Sequence, residues 1–174
     1  MYSDEEIVKK VIAGDKLAYE NIIERYQAKL VRYVSYLLKD NTEAEDVVQD
    51  TFIKAYMNLN SLNLSKKFSS WIYRIAHNES VNKLIKRKWI SNFDFELFST
   101  DLSVEEHFEK EEIKNWIALC LDKVDIKYKE PLVLYYLEDK SYDEISTILR
   151  IPVGTVGTRI NRGKKLLKTI CQTK

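Results

Sequence analysis

Apolar residues recur at intervals of three and four along most of the chain, with polar and charged residues between them. That spacing places the apolar side chains on one side of a helix, whereas a half-buried strand would show strict alternation. No strand-like alternation of any length occurs. The pattern predicts an all-α fold, in which each helix buries one face against its neighbours because short helices are unstable alone.

Helix starts in the N-terminal part are marked by capping residues. Ser3 with Glu6, and Thr42 with Glu45, have the spacing of a capping box, in which each side chain pairs with a free backbone N–H of the first turn. Asp15 can cap the long helix between them. The predicted helices span about residues 3–13, 15–39, 42–59 and 68–89, with a polar loop at 60–67.

The C-terminal part contains a predicted helix-turn-helix. Ser141 and Glu144 form another capping box, and Pro152 ends the helix that starts there because its ring disfavours helical geometry at Ile151. Two short helices joined by so tight a turn are typical of a DNA-binding motif whose second helix enters the major groove. The predicted C-terminal helices span about residues 104–122, 127–138, 141–150 and 152 onward.

The second helix of this motif carries hydroxyls and cations opposite its apolar stripe. Arginine can pair with guanine O6 and N7, and lysine and hydroxyl groups bind phosphates. The candidate DNA-binding residues are Thr155, Thr158, Arg159, Arg162 and Lys165. From the pattern alone, an ordinary helical hairpin with a solvated basic face remains an alternative.

The third predicted helix has an acidic face. Acidic residues near its start are explained by the helix dipole, but this face continues for a second turn, which favours a binding surface. Its residues are Asp46, Gln49 and Asp50. The side predicted to be buried carries Val47, Val48, Phe52, Ile53 and Tyr56.

The fourth predicted helix and the loop before it form a basic surface. Cations and amides of this kind could hold a nucleic-acid backbone and unstacked bases, although a charge run is often only a solvated face. The candidate residues are Lys66, Lys67, Arg74, Asn78, Asn82, Lys83, Lys86 and Arg87.

Charge is unevenly distributed along the chain, although 28 Lys and Arg nearly balance 27 Asp and Glu. Residues 90–112 carry eight acidic residues and a single cation, Lys110. This composition predicts an acidic linker at 90–103 between two small helical domains. A simple extended spacer would explain the same composition, because acidic segments repel themselves.

The sequence favours neither an enzyme nor a metal protein. Cys120 and Cys171 lack a CxxC partner, so we expect two reduced thiols, no metal and no cofactor. No glycine-rich phosphate loop or catalytic triad pattern occurs. The acidic N-terminus does not look like a signal peptide, and no segment has the roughly 18 apolar residues of a membrane span, so we expect a cytoplasmic protein.

Three segments resemble one known family in order and spacing. They are EAEDVVQDTFIKAYMNLNSL at 43–62, FSSWIYRIAHN at 68–78 and SYDEISTILRIPVGTVGTR at 141–159. Together they resemble the extracytoplasmic-function (ECF) sigma factors of the sigma-70 family, the small bacterial subunits that direct RNA polymerase to promoters. Two positions depart from the family pattern: Arg150 stands where a turn Gly is usual, and Gly157 replaces a basic residue.

The resemblance implies a sigma domain 2 at 1–89, the acidic linker at 90–103 and a sigma domain 4 at 104–174. Domain 2 would bind core RNA polymerase through Asp46, Gln49 and Asp50, and would capture melted −10 DNA with the basic surface at 66–87. Domain 4 would read the −35 element. The family also implies an anti-sigma factor, often membrane-bound, a role in stress response and a binding rather than catalytic mechanism.

An autonomous DNA-binding regulator is the alternative function. Its helix-turn-helix would read an operator while residues 1–90 dimerise or sense a signal. In that case the acidic face at Asp46, Gln49 and Asp50 would have no partner. Binding to core polymerase therefore separates the two hypotheses.

Overall fold

The computed structural model describes residues 2–63, 67–91 and 109–172, and within these ranges it contains helices and no strand. The all-α prediction is confirmed. The helices are α1 (Asp4–Ile12), α2 (Glu20–Leu38), α3 (Asn41–Met57), α4 (Phe68–Ser91), α5 (Glu109–Asp122), α6 (Ile126–Tyr136), α7 (Tyr142–Leu149) and α8 (Val153–Gln172). Two 3₁₀ turns cover Lys16–Tyr19 and Leu59–Ser61. Most of the predicted linker, and the predicted helix start near residue 103, lie outside the described residues.

The helix starts follow the capping predictions with two exceptions. Asp15, predicted to cap the long helix, accepts a hydrogen bond from the Ala18 N–H and caps the 3₁₀ turn Lys16–Tyr19, and α2 follows at Glu20. The boxes of Ser3 with Glu6 and of Ser141 with Glu144 are both formed. The predicted start at Thr42 is wrong, because the Asp40 carboxylate accepts a hydrogen bond from the Glu43 N–H and α3 begins at Asn41. An aspartate caps a helix as well as a threonine does, so the capping residue is Asp40, two residues closer to the N-terminus than the predicted Thr42.

Helices α1–α4, the N-terminal helix group, pack around an aromatic core. Tyr33, Phe68 and Tyr73 are fully buried there. The Tyr26 ring meets Phe68 edge-on, with 5.7 Å between the ring centroids, and Tyr33 lies 5.3 Å from Tyr73. This core holds α4 against α2 and fixes which side of α4 faces outward.

Helices α5–α8, the C-terminal helix group, pack through aliphatic side chains and one close helix approach. Ile145 and Ile148 of α7 meet Val156 and Ile160 of α8 in the core cluster, all of them buried. Where α8 crosses α6, a Cβ added to Gly163 would lie 2.8 Å from the Leu132 Cδ1 atom. Glycine suits this crossing because the added Cβ would also lie 3.2 Å from the Tyr128 carbonyl oxygen, and a larger residue would require the Leu132 side chain to shift.

The two helix groups are in contact, with α4 against α7 and α2 against α6. A polar network lies at this junction. Glu138 accepts hydrogen bonds from Arg32 Nε at 2.8 Å and from the Tyr73 hydroxyl at 2.6 Å. Glu130 accepts one from the buried Tyr33 hydroxyl at 2.5 Å. These contacts give the molecule a closed arrangement in which part of α4 is covered by α7.

Two cysteines that were expected to be reduced thiols are instead paired. Cys120 of α5 and Cys171 of α8 form a disulfide, with their Cα atoms 5.7 Å apart. They are 51 residues apart in the sequence, so no local spacing could indicate that they meet.

Candidate nucleic-acid interface

The turn between α7 and α8 sets the direction of the predicted DNA-reading helix. Arg150 ends α7 in the left-handed region at φ 53°, and its N–H donates to the Ser146 carbonyl. The Ser146 hydroxyl donates to the Ile151 carbonyl at 2.6 Å. The turn is therefore held by hydrogen bonds despite the arginine at a position that favours glycine.

The five predicted −35 residues lie on successive turns of α8. Thr158 and Arg159 are adjacent, and the others follow at intervals of three residues, so all five lie on one side of the helix. Thr158, Arg162 and Lys165 are exposed, whereas Thr155 and Arg159 are half-buried. The Thr158 hydroxyl donates to the Gly154 carbonyl at 2.9 Å and leaves its lone pairs able to accept. The structure thus places all five on the α8 surface.

Gly157, one of the departures from the family pattern, faces α7 rather than open solvent. A Cβ at this position would lie 3.3 Å from Cε2 of the Tyr142 ring. Tyr142 therefore packs against the α8 backbone where a side chain would otherwise project. This close contact explains why a residue without a side chain fits at this position of α8. Contact with DNA would then be left to the residues on either side of Gly157.

On α4 the predicted −10 residues divide into two sets. Arg74, Asn78 and Asn82 lie one turn apart in a single stripe, with Asn78 and Asn82 exposed. Lys86 continues that stripe and is exposed. This set offers two amides and two cations to a partner.

The other predicted −10 residues that the structure describes contact acidic or carbonyl groups. Lys83 and Arg87 lie 3.7 Å and 3.9 Å from the Glu43 carboxylate, and Arg87 also donates to the Leu38 carbonyl. Lys67 pairs with Glu144 of α7 at 3.2 Å. Lys66 lies outside the described residues. The stripe from Arg74 to Lys86 is therefore the more available part of the predicted −10 surface.

The junction also changes the pKa values of two ionisable groups. Burial lowers the pKa of Lys140, whose ammonium lies 4.3 Å from the Tyr73 ring centre and donates to Ser69 Oγ. Partial burial would raise the pKa of Glu144, but hydrogen bonds from the Ser141 backbone and hydroxyl and from Lys67 lower it overall. Both groups connect α4 to the C-terminal helix group.

The acidic face of α3 is exposed, as predicted. Asp46, Gln49 and Asp50 point to solvent, while Val47 and Val48 are buried.

Two assignments on α3 are corrected. Ile53 and Tyr56 were predicted to be buried, but they are 57% and 38% exposed, and Met57 is 74% exposed. Ile53 and Met57 follow Asp46 by 7 and 11 residues, so they extend the acidic face into a continuous strip that is acidic at its start and apolar towards the end of α3. Sequence reasoning missed them because an apolar residue was assumed to face inward.

Two further properties bear on function. Within the described ranges, no helix is long and apolar enough to cross a membrane. The same residues contain no cluster of three His, Cys, Asp or Glu that could bind a metal ion.

Comparison with known proteins assigns the family. Residues 22–90 match Sigma-70 region 2, and residues 114–167 match Sigma-70, region 4. The chain belongs to the sigma-70 family. It is 35% identical to the ECF RNA polymerase sigma factor SigW of Bacillus subtilis, over 92% of each chain. It is 30% identical to the RNA polymerase sigma-H factor of Pseudomonas aeruginosa, over 97% of this chain and 94% of that one.

These relatives place the chain in the ECF group, whose members are transcription initiation factors and not enzymes. Solved structures agree on the fold. The sigma factor RpoE of Bartonella quintana, solved with the anti-sigma factor NepR, matches with a TM-score of 0.79 at 19% identity, over 90% of this chain and 98% of that one. CnrH, solved with the cytosolic domain of CnrY, matches with a TM-score of 0.73 at 22% identity, over 96% of this chain and 96% of that one.

Proposed function

We propose that this ECF sigma factor binds core RNA polymerase through the α3 strip, reads −35 duplex with α8 and captures melted −10 bases on α4. The observation that carries the proposal is that α3, α4 and α8 each contain residues of one family segment and each present polar or charged side chains at the surface. Each surface has the chemistry its partner needs. The proposal places the protein in the bacterial cytoplasm, beside the polymerase.

The α3 strip combines acidic groups with exposed apolar side chains. Interfaces between proteins combine apolar contact area with polar groups beside it, and the strip has both, because the exposed Ile53 and Met57 follow Asp46 and Asp50 along α3. The carboxylates would favour a basic partner surface and speed its association. The strip therefore supports binding to a protein rather than to DNA.

The α4 stripe fits single-stranded DNA. Asn78 and Asn82 can both donate to and accept from base edges, while Arg74 and Lys86 can neutralise phosphates. Phe68 is fully buried, so it supports the helix and does not stack on bases. The hydrogen-bonding groups of the stripe are accordingly the base-capturing part of this surface.

Promoter-dependent transcription by core polymerase tests the function. Core polymerase that is supplied with the wild-type protein should start RNA chains on a library of randomised promoters. Asp46→Arg should reduce core binding at least roughly tenfold, because it places a like charge against a basic partner. Glu24→Arg makes the same charge change on exposed α2 and serves as the control. Equal binding by all three proteins would contradict the α3 assignment.

We also infer an anti-sigma partner. The two solved structures of similar fold were determined as complexes with an anti-sigma factor or with the cytosolic domain of CnrY. Such a partner would compete with core polymerase for this chain. Adding a candidate anti-sigma factor should lower run-off transcription in proportion to its occupancy, and unchanged transcription at saturation would exclude that candidate.

A further inference from the structure

The disulfide between Cys120 and Cys171 joins two helices at the end of the C-terminal helix group. Their Cα separation of 5.7 Å lies in the ordinary range for a disulfide. Cys120 is buried, with 5% of its surface exposed, whereas Cys171 is only half-buried. One sulfur is thus sheltered and the other is within reach of a small reagent.

The disulfide fastens the part of α8 that is otherwise weakly held. The buried residues of α8 are Val156, Ile160 and Gly163, all in its first eleven residues. Beyond them, Leu166 is 41% exposed, and Leu167 is only partly buried. The last turns of α8 therefore depend on the bond from Cys171 to α5 far more than its DNA-reading first turns do.

An apolar groove of about 630 Å³ lies beside the disulfide, between α5, α6 and α8. Cys171 forms part of its wall, together with Ile117, Leu132 and Leu167. Because these side chains do not fill the space, packing alone does little to fix the end of α8. Lys168 lies on the same wall one turn before Cys171.

We propose that Cys120 and Cys171 are a reversible thiol-oxidation site that fixes the end of α8 to α5. The oxidant is a low-molecular-weight disulfide. The Cys171 thiolate attacks one of its sulfurs and releases a first small thiol. The Cys120 thiolate then attacks Cys171 Sγ and releases a second. Two protein thiols are oxidised to one disulfide, one small disulfide is reduced to two thiols, and the two protons pass to the leaving thiolates.

The regulatory meaning of this site rests on the proposed function, since a protein that acts beside RNA polymerase lies in a compartment where thiols are kept reduced. Disulfides there are usually transient and redox-sensing. The bond would therefore form when the thiol pool becomes oxidised and be lost when it recovers. The formation of the bond itself does not depend on any role in transcription.

Hydrogen exchange on the full-length protein tests the proposal. The reduced protein is titrated with oxidised glutathione, and free thiols are counted by alkylation and mass spectrometry. We expect both thiols to disappear together in the monomer and to return with dithiothreitol. Amide exchange at 164–172 should slow roughly tenfold on oxidation, because the tether suppresses local opening, while exchange at 153–160 stays unchanged.

Two variants separate this site from general effects of oxidant. Cys171→Ser and Cys120→Ala should each show the same exchange at 164–172 with and without oxidised glutathione. Stable glutathione adducts, cross-linked dimers only, or equal exchange rates in the oxidised and reduced wild type would each overturn the proposal. The exchange experiment uses neither polymerase nor DNA. A negative result there is therefore independent of a negative result in the transcription assay.

Discussion

Arg150 adopts a backbone conformation that its side chain disfavours. With φ 53° and ψ 44° it is in the left-handed region, where a Cβ costs energy that glycine does not incur. Lys39 ends α2 in the same way, at φ 59°. In both cases the backbone hydrogen bonds of the helix end outweigh the local cost.

Replacing Arg150 by glycine should stabilise the protein. We expect Arg150→Gly to raise the free energy of unfolding by about 0.5–1 kcal/mol, since glycine adopts this conformation without a Cβ clash. Chemical denaturation measures it. Arg150→Ala is the matched control, because it removes the same exposed charge but keeps the Cβ. A gain of equal size in the alanine variant would show that charge, not backbone strain, is responsible.

Glu144, at the start of α7, takes part both in the cap of its own helix and in a contact with a distant part of the chain. Glu144 accepts from the Ser141 N–H at 2.9 Å and also pairs with Lys67 in the other helix group. Because the pKa of Glu144 is lowered in the folded protein, its contribution to stability is present above the ordinary glutamate pKa and is lost as the pH falls through the folded pKa.

Glu144→Gln should therefore destabilise the protein in a pH-dependent manner. At pH 7 we expect a loss of about 1 kcal/mol, from the weakened cap and the lost ion pair. The difference from wild type should shrink as the pH falls from the ordinary glutamate pKa through the lowered pKa of folded Glu144, because the wild-type carboxylate is then protonated in the folded protein too. Denaturation between pH 3 and pH 7 measures this. A difference independent of pH would indicate that charge at Glu144 plays no part.

At the scale of elements, α8 combines two tasks on opposite sides. Val156 and Ile160 anchor its first half in the core, and the polar residues between them face outward. Because the anchor points are fixed, the side chains of Arg159 and Arg162 are presented in a defined register. Base readout depends on such fixed geometry, whereas phosphate contacts tolerate variation.

Arg159 and Arg162 should differ in what they contribute to DNA binding. If half-buried Arg159 pairs with a guanine, Arg159→Ala should cost about 1–3 kcal/mol on a matched −35 sequence and much less on a scrambled one. Arg162 is exposed, and Arg162→Ala should weaken binding to the matched and the scrambled sequence by similar amounts. Fluorescence anisotropy at fixed salt measures both. Equal losses for Arg159→Ala on the two sequences would make Arg159 a phosphate contact.

At the scale of the whole molecule, the closed arrangement is not compatible with the proposed promoter binding. Elements centred near −35 and −10 lie about 25 base pairs apart, which is roughly 80 Å of duplex. In the structure α7 is in contact with α4. For α8 and α4 to bind the two elements at once, as proposed, the two helix groups must move apart. The network of Glu130 and Glu138 is what this opening has to break.

Removing the Glu138 carboxylate should favour the open arrangement. In Glu138→Ala the buried Tyr73 hydroxyl and Arg32 lose their acceptor, which we expect to weaken the contact between helix groups by roughly 1–3 kcal/mol. Small-angle scattering should show a larger radius of gyration. Glu24→Ala, on exposed α2, is the control and should not change it. An unchanged radius with intact helices would show that the remaining contacts, such as the hydrogen bond between Tyr33 and Glu130, are enough to keep the groups together.

Local information in the sequence predicted the helices, most of their caps and the polar side of α8. Apolar periodicity and capping residues act within one or two turns, so they can be read without knowing the fold. The family segments suggested the roles proposed for α3, α4 and α8. The domain boundaries and the roles of individual site residues remain predictions.

Only the tertiary structure decided which groups meet across the chain. Ile53 faces solvent although it is apolar, Lys83 lies beside Glu43, and Glu138 accepts from Tyr73. Cys171 meets Cys120 across 51 residues. The physical reason is that each of these outcomes depends on how helices pack against one another, and the periodicity of a single helix states only which side is apolar, not what will cover it.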